Sequence, residues 1–566
     1  MSNRERLNVV FCWHMHQPEY RDLLTGRYCQ PWTYLHAIKD YSDMVAHLEA
    51  YPDIGAVVNF APILLEGIDD YHRQINAFLR EQKPVSDPLL AALTSGSIPI
   101  AANDRLELAQ WCLRANEHRI INRFEPYRRL VEIVRSREHQ SPVLDYLDDQ
   151  FFRDLLVWYH LAWLGETIRG QDSRVQRLIK KARQFDADDR CQLTQVLAEV
   201  LGGIIPRYRG LAEAGQIELS MTPYAHPMLP LLADFESARE AMPDVPLPKG
   251  AYPGGIERTR WHLEAGLALF ERMFGCRPAG CWPSEGGISD AILPMLTEYG
   301  FQWIASGQGV LGNSLKLSNH DTDNGAWPYR PYRLGNLPLF GFFRDDGLSD
   351  AIGFTYSDWH GEDAVADLVH HLEEIASKLD VPQAHVVSII MDGENAWEHY
   401  PKNGAYFLDH LYQALSDHPV LKATTYSEFL EHHGGGAHEL ARVCAGSWVY
   451  GTFSTWIGDH DKNRAWDILV ESKQAFDEVV ASQVLSPEKQ EQLERQLAIC
   501  EGSDWFWWFG DYNPVESIED FSNLYRQHIR NLHRMLGRPV PAGLDSPFGS
   551  GGAAEYGGAM RRGTAG

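Results

Sequence analysis

The sequence predicts an α/β protein built on a parallel barrel of seven strands, one short of the usual eight, with helices outside. Seven short apolar runs rich in Val, Ile, Phe or Trp predict buried strands, and helical patterns lie between most of them. These runs are 8–13, 54–60, 216–221, 280–283, 301–306, 339–344 and 386–391. Such alternation is typical of a parallel sheet that is covered by helices on its outer face.

The interval between the second and third predicted strands is too long for a single barrel connection. It contains helix-like stretches at 105–119 and 145–163. We therefore predict a mostly helical insertion at about 65–210, inside a barrel domain that extends over residues 1–415.

After the last predicted strand the chain becomes helical, and we predict a C-terminal helical subdomain over 416–541 that contributes to the active-site cleft. A helical pattern covers 467–483, Ser486 followed by proline is a typical helix start, and 517–536 places its apolar residues on one face. The last 24 residues contain eight glycines, so we predict that 542–566 is a disordered tail.

The composition excludes several classes of partner. Acidic residues outnumber basic ones 77 to 51, for a formal net charge of −26. A nucleic-acid binder needs a basic face, and an acidic membrane surface is disfavoured for the same reason. No apolar run approaches the roughly 18 residues of a membrane span. A neutral ligand such as a sugar is unaffected by the charge.

The eight cysteines are scattered, with no CxxC pair, which predicts reduced thiols in a cytoplasmic protein. The chain also contains 17 Trp and 24 Tyr. Flat aromatic side chains suit a protein core, and they also suit stacking against sugar rings.

Acids, histidines and an arginine lie at or near the ends of the predicted strands, which form the active face of a parallel barrel. These residues are His14, His16, Glu218, His226, Glu285, Arg344, Asp392 and Glu394. Cleavage of a glycosidic bond needs two carboxyl groups, one as acid and one as nucleophile or base. Glu285 and Asp392 follow different strands, which permits such a pairing across the barrel mouth. The charge of Glu394 would help to keep Asp392 protonated.

Each of these residues also has a structural interpretation. Asp392 could cap the following helix or form an Asp-Gly turn, and Glu285 could be a solvated loop acid. His14 and His16 lie on the same side of a strand and could bind a metal. No cysteine and no further histidine except His226 is placed as a partner, so we predict no metal site. Hydrogen bonding to substrate hydroxyls, or a structural role, suits the pair better.

Five segments occur in the order of the five-block signature of glycoside hydrolase family 57, which the sequence resembles. They are His-Met-His-Gln-Pro at 14–18, Gly-Gln-Ile-Glu at 215–218, Cys-Trp-Pro-Ser-Glu at 281–285, Met-Asp-Gly-Glu-Asn-Ala-Trp-Glu at 391–398 and Thr-Trp-Ile-Gly-Asp at 455–459. The segments at 224–227 and 398–401 are similar to those of the amylopullulanase and α-amylase group. The resemblance extends over about residues 7–540.

The resemblance implies an incomplete (β/α)7 barrel with a helical insertion and a C-terminal helical subdomain, and retaining cleavage of α-glucans without a required cofactor. It makes Glu285 the nucleophile and Asp392 the general acid/base. His14, His16, Glu218 and Glu394 would line the subsite of the reacting sugar. The further expected substrate contacts are His226, Trp282, Arg344, Trp397, Trp448, Trp456, Asp459, Asp504 and Trp505, the last two in an aromatic run at 504–508.

Amylases, pullulanases, branching enzymes and 4-α-glucanotransferases of this family share the two carboxyl groups. The Asn395-Ala396-Trp397 segment looks less like the branching-enzyme and transferase patterns, which favours hydrolysis of starch, glycogen or maltodextrins. A glucanotransferase or branching enzyme is the first alternative. A metal-dependent carbohydrate deacetylase that uses His14 and His16 is the second, and a non-catalytic glycan-binding protein is the third. The presence of both acids gives the last no support.

Overall fold

The structure is a computed structural model that describes residues 6–136, 147–318, 325–482 and 484–549. Its ten strands are β1 (Leu7–Met15), β2 (Ala56–Phe60), β3 (Ile217–Met221), β4 (Gly280–Cys281), β5 (Trp303–Gly307), β6 (Tyr332–Leu334), β7 (Phe340–Arg344), β8 (Val386–Asp392), β9 (Leu421–Ala423) and β10 (His438–Leu440). Seven of them form the predicted parallel barrel.

The barrel strands follow one another in the order β8, β1, β2, β3, β4, β5 and β7. The ring closes because β7 pairs with β8, where Arg344 lies opposite Ser388. All neighbours in the ring are parallel. The small strands lie outside the ring: β6 is antiparallel to β7, β10 extends β6, and β9 pairs with β1.

Alternation along the strands separates the barrel interior from the surrounding core. Val10 and Cys12 of β1 belong to a small apolar cluster that also contains Trp282 and Trp303, whereas Phe11 and its odd-numbered neighbours belong to the large cluster shared with the helices. His14 has the parity of Val10 and Cys12, so it lies on the interior side at the carboxyl end of β1.

The helices account for most of the remaining described chain. They are α1 (Trp32–His36), α2 (Ser42–Ala50), α3 (Pro62–Glu81), α4 (Pro88–Ser95), α5 (Ala102–Trp111), α6 (Glu125–Arg135), α7 (Asp149–Trp163), α8 (Glu166–Gln171), α9 (Ser173–Lys181), α10 (Ala187–Glu213), α11 (Leu229–Ala233), α12 (Gly255–Phe274), α13 (Leu293–Glu298), α14 (Gln308–Leu317), α15 (Asp346–Asp350), α16 (Gly361–Lys378), α17 (Ala405–Ser416), α18 (Tyr426–His433), α19 (His460–Ser482), α20 (Pro487–Cys500), α21 (Asp504–Trp508) and α22 (Val515–Leu536). Helices α3–α10 fill the long interval between β2 and β3.

Helix boundaries follow local capping chemistry. The side chain of Ser486 accepts a hydrogen bond from the Lys489 amide at the start of α20, and α22 ends at Gly537 in the left-handed region. The predicted helix at 105–119 is wrong in extent, since α5 ends at Trp111. The side chain of Asn116 then accepts hydrogen bonds from two following amides and starts a separate turn.

Two predicted boundaries need correction. The chain does not leave the barrel sheet at 416, because β9 and β10 still pair with it as far as Leu440. The predicted tail also begins too early. Leu544 and Phe548 are buried, and the Phe548 ring stacks on Phe509 at 4.8 Å, because two apolar residues interrupt the glycines. Residues 550–566 of that tail lie outside the described residues.

Among the helices of the described ranges, none combines the length and the apolar character that a bilayer crossing requires.

Candidate active site

A cavity of about 380 Å³ opens at the carboxyl ends of the barrel strands. The barrel rim forms its base, and the segment after β1, Arg114 of the insertion, and helices α21 and α22 form its walls. Eight of the predicted site residues line it: His14, His16, His226, Glu285, Asp392, Glu394, Trp448 and Asp504. His14 and Glu394, which are 380 positions apart in the chain, thus meet in one cavity.

Glu285 lies in a tight turn after β4 and has a left-handed backbone, with φ of +60°. This conformation is uncommon outside glycine, and a carboxylate held in it is a typical feature of functional sites. Its carbonyl accepts a hydrogen bond from the Trp448 amide at 3.0 Å. Its carboxylate accepts two more, from Trp448 Nε1 at 3.1 Å and from Ser503 Oγ at 2.9 Å.

Asp392 is the last residue of β8 and lies opposite His14 of β1. The Asn395 side-chain amide donates a hydrogen bond to its carboxylate at 2.9 Å. The next residue is Gly393, where a Cβ would come within 2.2 Å of Met15 Sδ and would force that buried side chain to move. The carboxyl group is therefore presented at the rim by a strand end and a turn that have little freedom.

Both acids have perturbed pKa values. Burial, together with the charges of Asp504 and Asp392, raises the pKa of Glu285 to about 8, against the effect of its two hydrogen bonds. Burial also raises the pKa of Asp392. Burial and then the charge of Asp392 raise the pKa of Glu394 well above its usual value. Burial is therefore the main cause of the raised pKa of Asp392, and the acid whose charge adds to it is Asp504 instead of the expected Glu394.

Three imidazole rings stack beside the acids. The His16 and His226 ring centroids are 3.9 Å apart, and His14 lies 5.1 Å from His226. Burial, followed by the neighbouring imidazoles, lowers the pKa of His14 to about 3 and that of His226 well below its usual value. Both rings are therefore neutral near pH 7. His226 Nδ1 donates to Ser503 Oγ at 2.8 Å, which leaves its Nε2 as an acceptor.

His16, His226 and Asp504 each offer a possible metal-ligand atom, and these atoms lie within 4.8 Å of one another. The geometry of the rings does not suit a metal centre. The two imidazoles are inclined by only 17° and stacked, so their in-plane lone pairs run side by side instead of converging on an ion at about 2.1 Å. His16 Nε2 instead donates to the Asp504 carboxylate at 2.9 Å.

Several buried polar atoms of the cavity have no hydrogen-bond partner among the described residues. They are His16 Nδ1, Gln30 Oε1, His226 Nε2, Glu394 Oε2 and Trp507 Nε1. Buried polar groups are normally hydrogen-bonded, and leaving one unpaired costs about 1–3 kcal/mol. A ligand rich in hydroxyl groups could satisfy both the acceptors and the indole donor in this set.

Glu218 does not reach the cavity, which corrects the prediction that it contacts the reacting sugar. It is the second residue of β3 and lies deeper in the barrel than the rim. Trp303 Nε1 donates to its carboxylate at 2.6 Å, and the Ser427 amide donates at 2.9 Å. These bonds make Glu218 a buried structural acid.

Four of the predicted tryptophan contacts are also core residues. Trp282 lies behind Trp448, with ring centroids 5.5 Å apart. Trp397 donates to the Gly393 carbonyl at 3.0 Å and packs against helix-side aromatics. Trp456 and Trp505 are fully enclosed among aromatic side chains of the C-terminal region. None of the four lines the cavity.

Arg344 and Asp459 have structural roles that explain their absence from the cavity. The Arg344 guanidinium pairs with Asp346 and Asp350, and it lies 5.4 Å from the centre of the Trp448 ring. It therefore supports Trp448 from behind. The Asp459 side chain accepts hydrogen bonds from the amides at the start of α19 and caps that helix.

Part of the cavity wall was not predicted from the sequence. The missed lining residues include Gln17, Tyr20, Gln30, Trp32, Arg114, Glu398, Glu516 and Asp520. Trp507 and Trp508 also line the cavity, and both lie in the aromatic run that the sequence singled out, where Trp505 was chosen instead. Gln17 follows His16 in the first block and could have been found there. Arg114 and Asp520 carry no local signal.

The sequence profile of glycosyl hydrolase family 57 matches residues 10–439, which is most of the chain. The chain belongs to glycosyl hydrolase family 57. The profile includes both Glu285 and Asp392, and it ends before the segment that supplies Ser503 and Asp504. Comparison with curated proteins returns no match.

Three solved structures share the fold. A branching enzyme from Pyrococcus horikoshii has a TM-score of 0.57 at 15% identity, with 94% of this chain and 89% of that chain covered. The α-amylase AmyC from Thermotoga maritima has a TM-score of 0.54 at 14% identity, with 94% of each chain covered. A 4-α-glucanotransferase from Thermococcus litoralis has a TM-score of 0.50 at 14% identity, covering 94% of this chain and 60% of that chain. These likenesses support the (β/α)7 barrel and the helical C-terminal region.

Proposed function

We propose that this chain is a retaining glycoside hydrolase that acts on α-glucans such as starch, glycogen and maltodextrins. The observation that carries the proposal is the convergence of Glu285 and Asp392 on one cavity with different surroundings. Glu285 accepts two hydrogen bonds, whereas Asp392 accepts one. Donors favour an ionised carboxylate and here oppose the burial and neighbouring charges that raise the pKa of Glu285 to about 8. With more donors than Asp392, Glu285 suits the nucleophile, which acts after it has lost its proton, and Asp392 suits the acid.

The reaction would proceed by double displacement. Asp392 donates its proton to the glycosidic oxygen while a Glu285 oxygen attacks C1, so that the C1–O bond to the leaving sugar breaks and a glucosyl ester forms. Asp392, now ionised, removes a proton from water as the water oxygen attacks C1 and expels Glu285. Both carboxyl groups return to their starting states, and the α configuration is restored.

The side chains around Glu285 and Asp392 orient the nucleophile and offer contacts to the sugar. The Ser503 hydroxyl, itself bonded by His226, fixes one Glu285 oxygen, and the Trp448 indole fixes the other. The unpartnered His16, His226 and Glu394 atoms suit the hydroxyl groups of the reacting sugar. Trp508 lines the cavity and is half-buried, so it offers a flat surface to a sugar ring.

Transfer to a second sugar is the alternative outcome of the same chemistry. If a sugar hydroxyl replaces water in the second step, the enzyme is a 4-α-glucanotransferase or a branching enzyme. The similar solved structures are described as a branching enzyme, an α-amylase and a 4-α-glucanotransferase. Both hydrolysis and transfer are therefore compatible with this fold. The Asn395-Ala396-Trp397 segment favours hydrolysis.

Product analysis distinguishes these outcomes. The full-length protein is incubated with maltoheptaose, amylose and pullulan, and the products are separated by chromatography, with Glu285→Gln as the control. Shorter products alone support hydrolysis, and products longer than the substrate support transfer. Proton NMR of the first product should show the α anomer. Initial release of the β anomer would contradict a retaining mechanism. Turnover by the Gln variant would contradict the role of Glu285 as nucleophile.

Two other classes of function make different predictions. A metal-dependent deacetylase would lose activity with a chelator and would release acetate, whereas we expect full activity in excess chelator and no acetate. A non-catalytic binding protein would retain glycogen without releasing reducing sugar. We also propose a cytoplasmic location, supported by eight cysteines of which none is paired in the described chain.

A further inference from the structure

A second and larger cavity, of about 880 Å³, lies beside the catalytic one. Its walls come from the loop after β1, from α4 and α5 of the insertion, and from α22 of the C-terminal region. The volume is at the upper end of the range of about 300–1,000 Å³ that is typical of ligand-binding pockets. None of the chemistry described above uses this cavity.

The two cavities adjoin at two residues. Gln30 and Asp520 line both of them. Gln30 is 5% exposed, and its Oε1 has no hydrogen-bond partner within the described ranges. An unpaired buried amide oxygen is costly, so Gln30 Oε1 suits a hydrogen-bond donor of a ligand at the place where the two cavities adjoin.

The charge of the second cavity selects against anions. The acids that line it are Asp22, Asp87, Asp104, Glu107 and Asp520. Among the described residues of this lining, Arg27 is the one base. Three of these acids already have partners: Asp520 pairs with Arg114, Asp87 accepts from Tyr71 and the Leu90 amide, and Asp22 accepts from Asn531. The remaining excess of acids suits a neutral ligand with hydroxyl donors better than phosphate or carboxylate groups.

An aromatic pair connects the two cavities. Trp111 of α5 lines the second cavity and Trp32 lines the catalytic one, with ring centroids 6.3 Å apart. The Arg114 guanidinium lies 4.1 Å from the Trp111 ring centre and is itself held by Glu516 and Asp520. Trp111 is half-buried, so its position is fixed while part of the indole lines open space.

We propose that the second cavity binds the continuation of the α-glucan chain that occupies the catalytic cavity, with Gln30 where the two cavities adjoin and Trp111 as a stacking surface. This inference rests on the proposed function and names its substrate class: linear α-glucan chains that are long enough to span both cavities. Short oligosaccharides fill the catalytic cavity alone and lose the contacts of the second one. The insertion thereby sets the preferred chain length.

The test compares long and short ligands in the full-length Glu285→Gln protein, in which binding is separated from turnover. Calorimetry gives the affinities of maltotriose and maltoheptaose. We expect Trp111→Leu to weaken maltoheptaose binding by about 2- to 12-fold, the range for an aromatic contact, and to leave maltotriose binding unchanged. Trp111→Phe keeps a flat ring and should retain most of the affinity.

Trp359→Leu is the matched control, since Trp359 is 42% exposed and lines neither cavity. Thermal unfolding of each variant checks that it is folded. If Trp111→Leu leaves maltoheptaose binding unchanged, or weakens both ligands equally, the second cavity is not a chain-binding site. If the parent binds neither ligand, and the wild-type protein does not turn over α-glucans, the proposed function fails as well.

Discussion

At the scale of single residues, the most informative feature is the backbone of Glu285. Its φ of +60° places a non-glycine residue in the left-handed region at the point where the reaction needs a nucleophile. His226, which supports Glu285 through Ser503, also has a positive φ, of +57°. The surrounding contacts maintain this strain because the carboxylate has to face the cavity from a tight turn.

Replacing Glu285 with glycine should relieve this strain and remove the nucleophile. We expect a loss of at least about 10³-fold in kcat for natural glucans. Azide should restore turnover of an activated α-glucosyl substrate and give the β-glucosyl azide, because it enters from the vacated side. Glycine at Asp392 is the matched control, and its azide product should keep the α configuration. The same product stereochemistry in both variants would contradict the assignment.

Asp392→Asn tests the acid role through the leaving group. We expect kcat/KM to fall by about 10²- to 10⁴-fold for maltoheptaose, whose leaving sugar needs a proton. An activated aryl α-maltoside should suffer much less in the first step, because its leaving group departs as an anion. Equal losses on the two substrates would show that Asp392 does not supply the proton.

Asp504 sets the pH range of the pair. Its negative charge raises the pKa of both Glu285 and Asp392, in each case alongside the larger effect of burial. In Asp504→Asn each carboxyl group loses its proton more easily, so both limbs of the pH profile of kcat/KM should move to lower pH. Glu516→Gln, an exposed acid of the same cavity, should leave the limbs in place. An alkaline shift in Asp504→Asn would contradict this account.

At the scale of elements, the segment between α20 and α21 connects the C-terminal region to catalysis. Glu501 is fully buried and pairs with Arg258 and His262 of α12, with oxygen–nitrogen distances of 2.8 Å. Burial alone would raise its pKa, but these two partners hold the pKa of Glu501 at about 2. The next residues along the chain include Ser503 and Asp504, so this ion pair positions two groups of the site.

Glu501→Gln should therefore affect stability and catalysis together. Leaving Arg258 unpaired in the core costs about 3–5 kcal/mol of unfolding free energy. We also expect kcat to fall more than KM rises, because Ser503 no longer orients the nucleophile. Glu298→Gln is the control, because Glu298 pairs with Arg260 of α12 on the exposed surface, and it should leave the free energy of unfolding nearly unchanged. A stability loss with unchanged kcat would make Glu501 purely structural.

The elements also show what local patterns can and cannot predict. Apolar runs located all seven barrel strands, even β4, whose two residues form the shortest one. The same runs do not show how deep in the barrel a given residue lies. Glu218 was therefore predicted at the rim, although it precedes the carboxyl end of β3 by three residues. In α21 the aromatic run was found, but which of Trp505, Trp507 and Trp508 faces the cavity depends on tertiary packing.

At the scale of the whole molecule, the catalytic cavity and the second cavity together form a trough whose walls come from three distant parts of the chain. The barrel rim supplies the acids, and its blocks could be recognised because each is contiguous in sequence. The insertion supplies Trp111 and Arg114, and α22 supplies Asp520, which pairs with Arg114 across more than 400 residues. Such contacts have no periodicity or motif, so the outer part of the trough could not be predicted.

The net charge of −26 gives a prediction about substrate choice for the whole molecule. Acids line the second cavity, so an anionic glucan is repelled along the trough, and added salt screens that repulsion because the Debye length shortens to about 8 Å at 0.15 M. With carboxymethylated amylose, kcat/KM should be low at 20 mM NaCl and rise several-fold at 500 mM. Neutral amylose, as the control, should change by less than about twofold. Faster turnover of the anionic polymer at low salt would mean that long-range charge does not act on the bound chain.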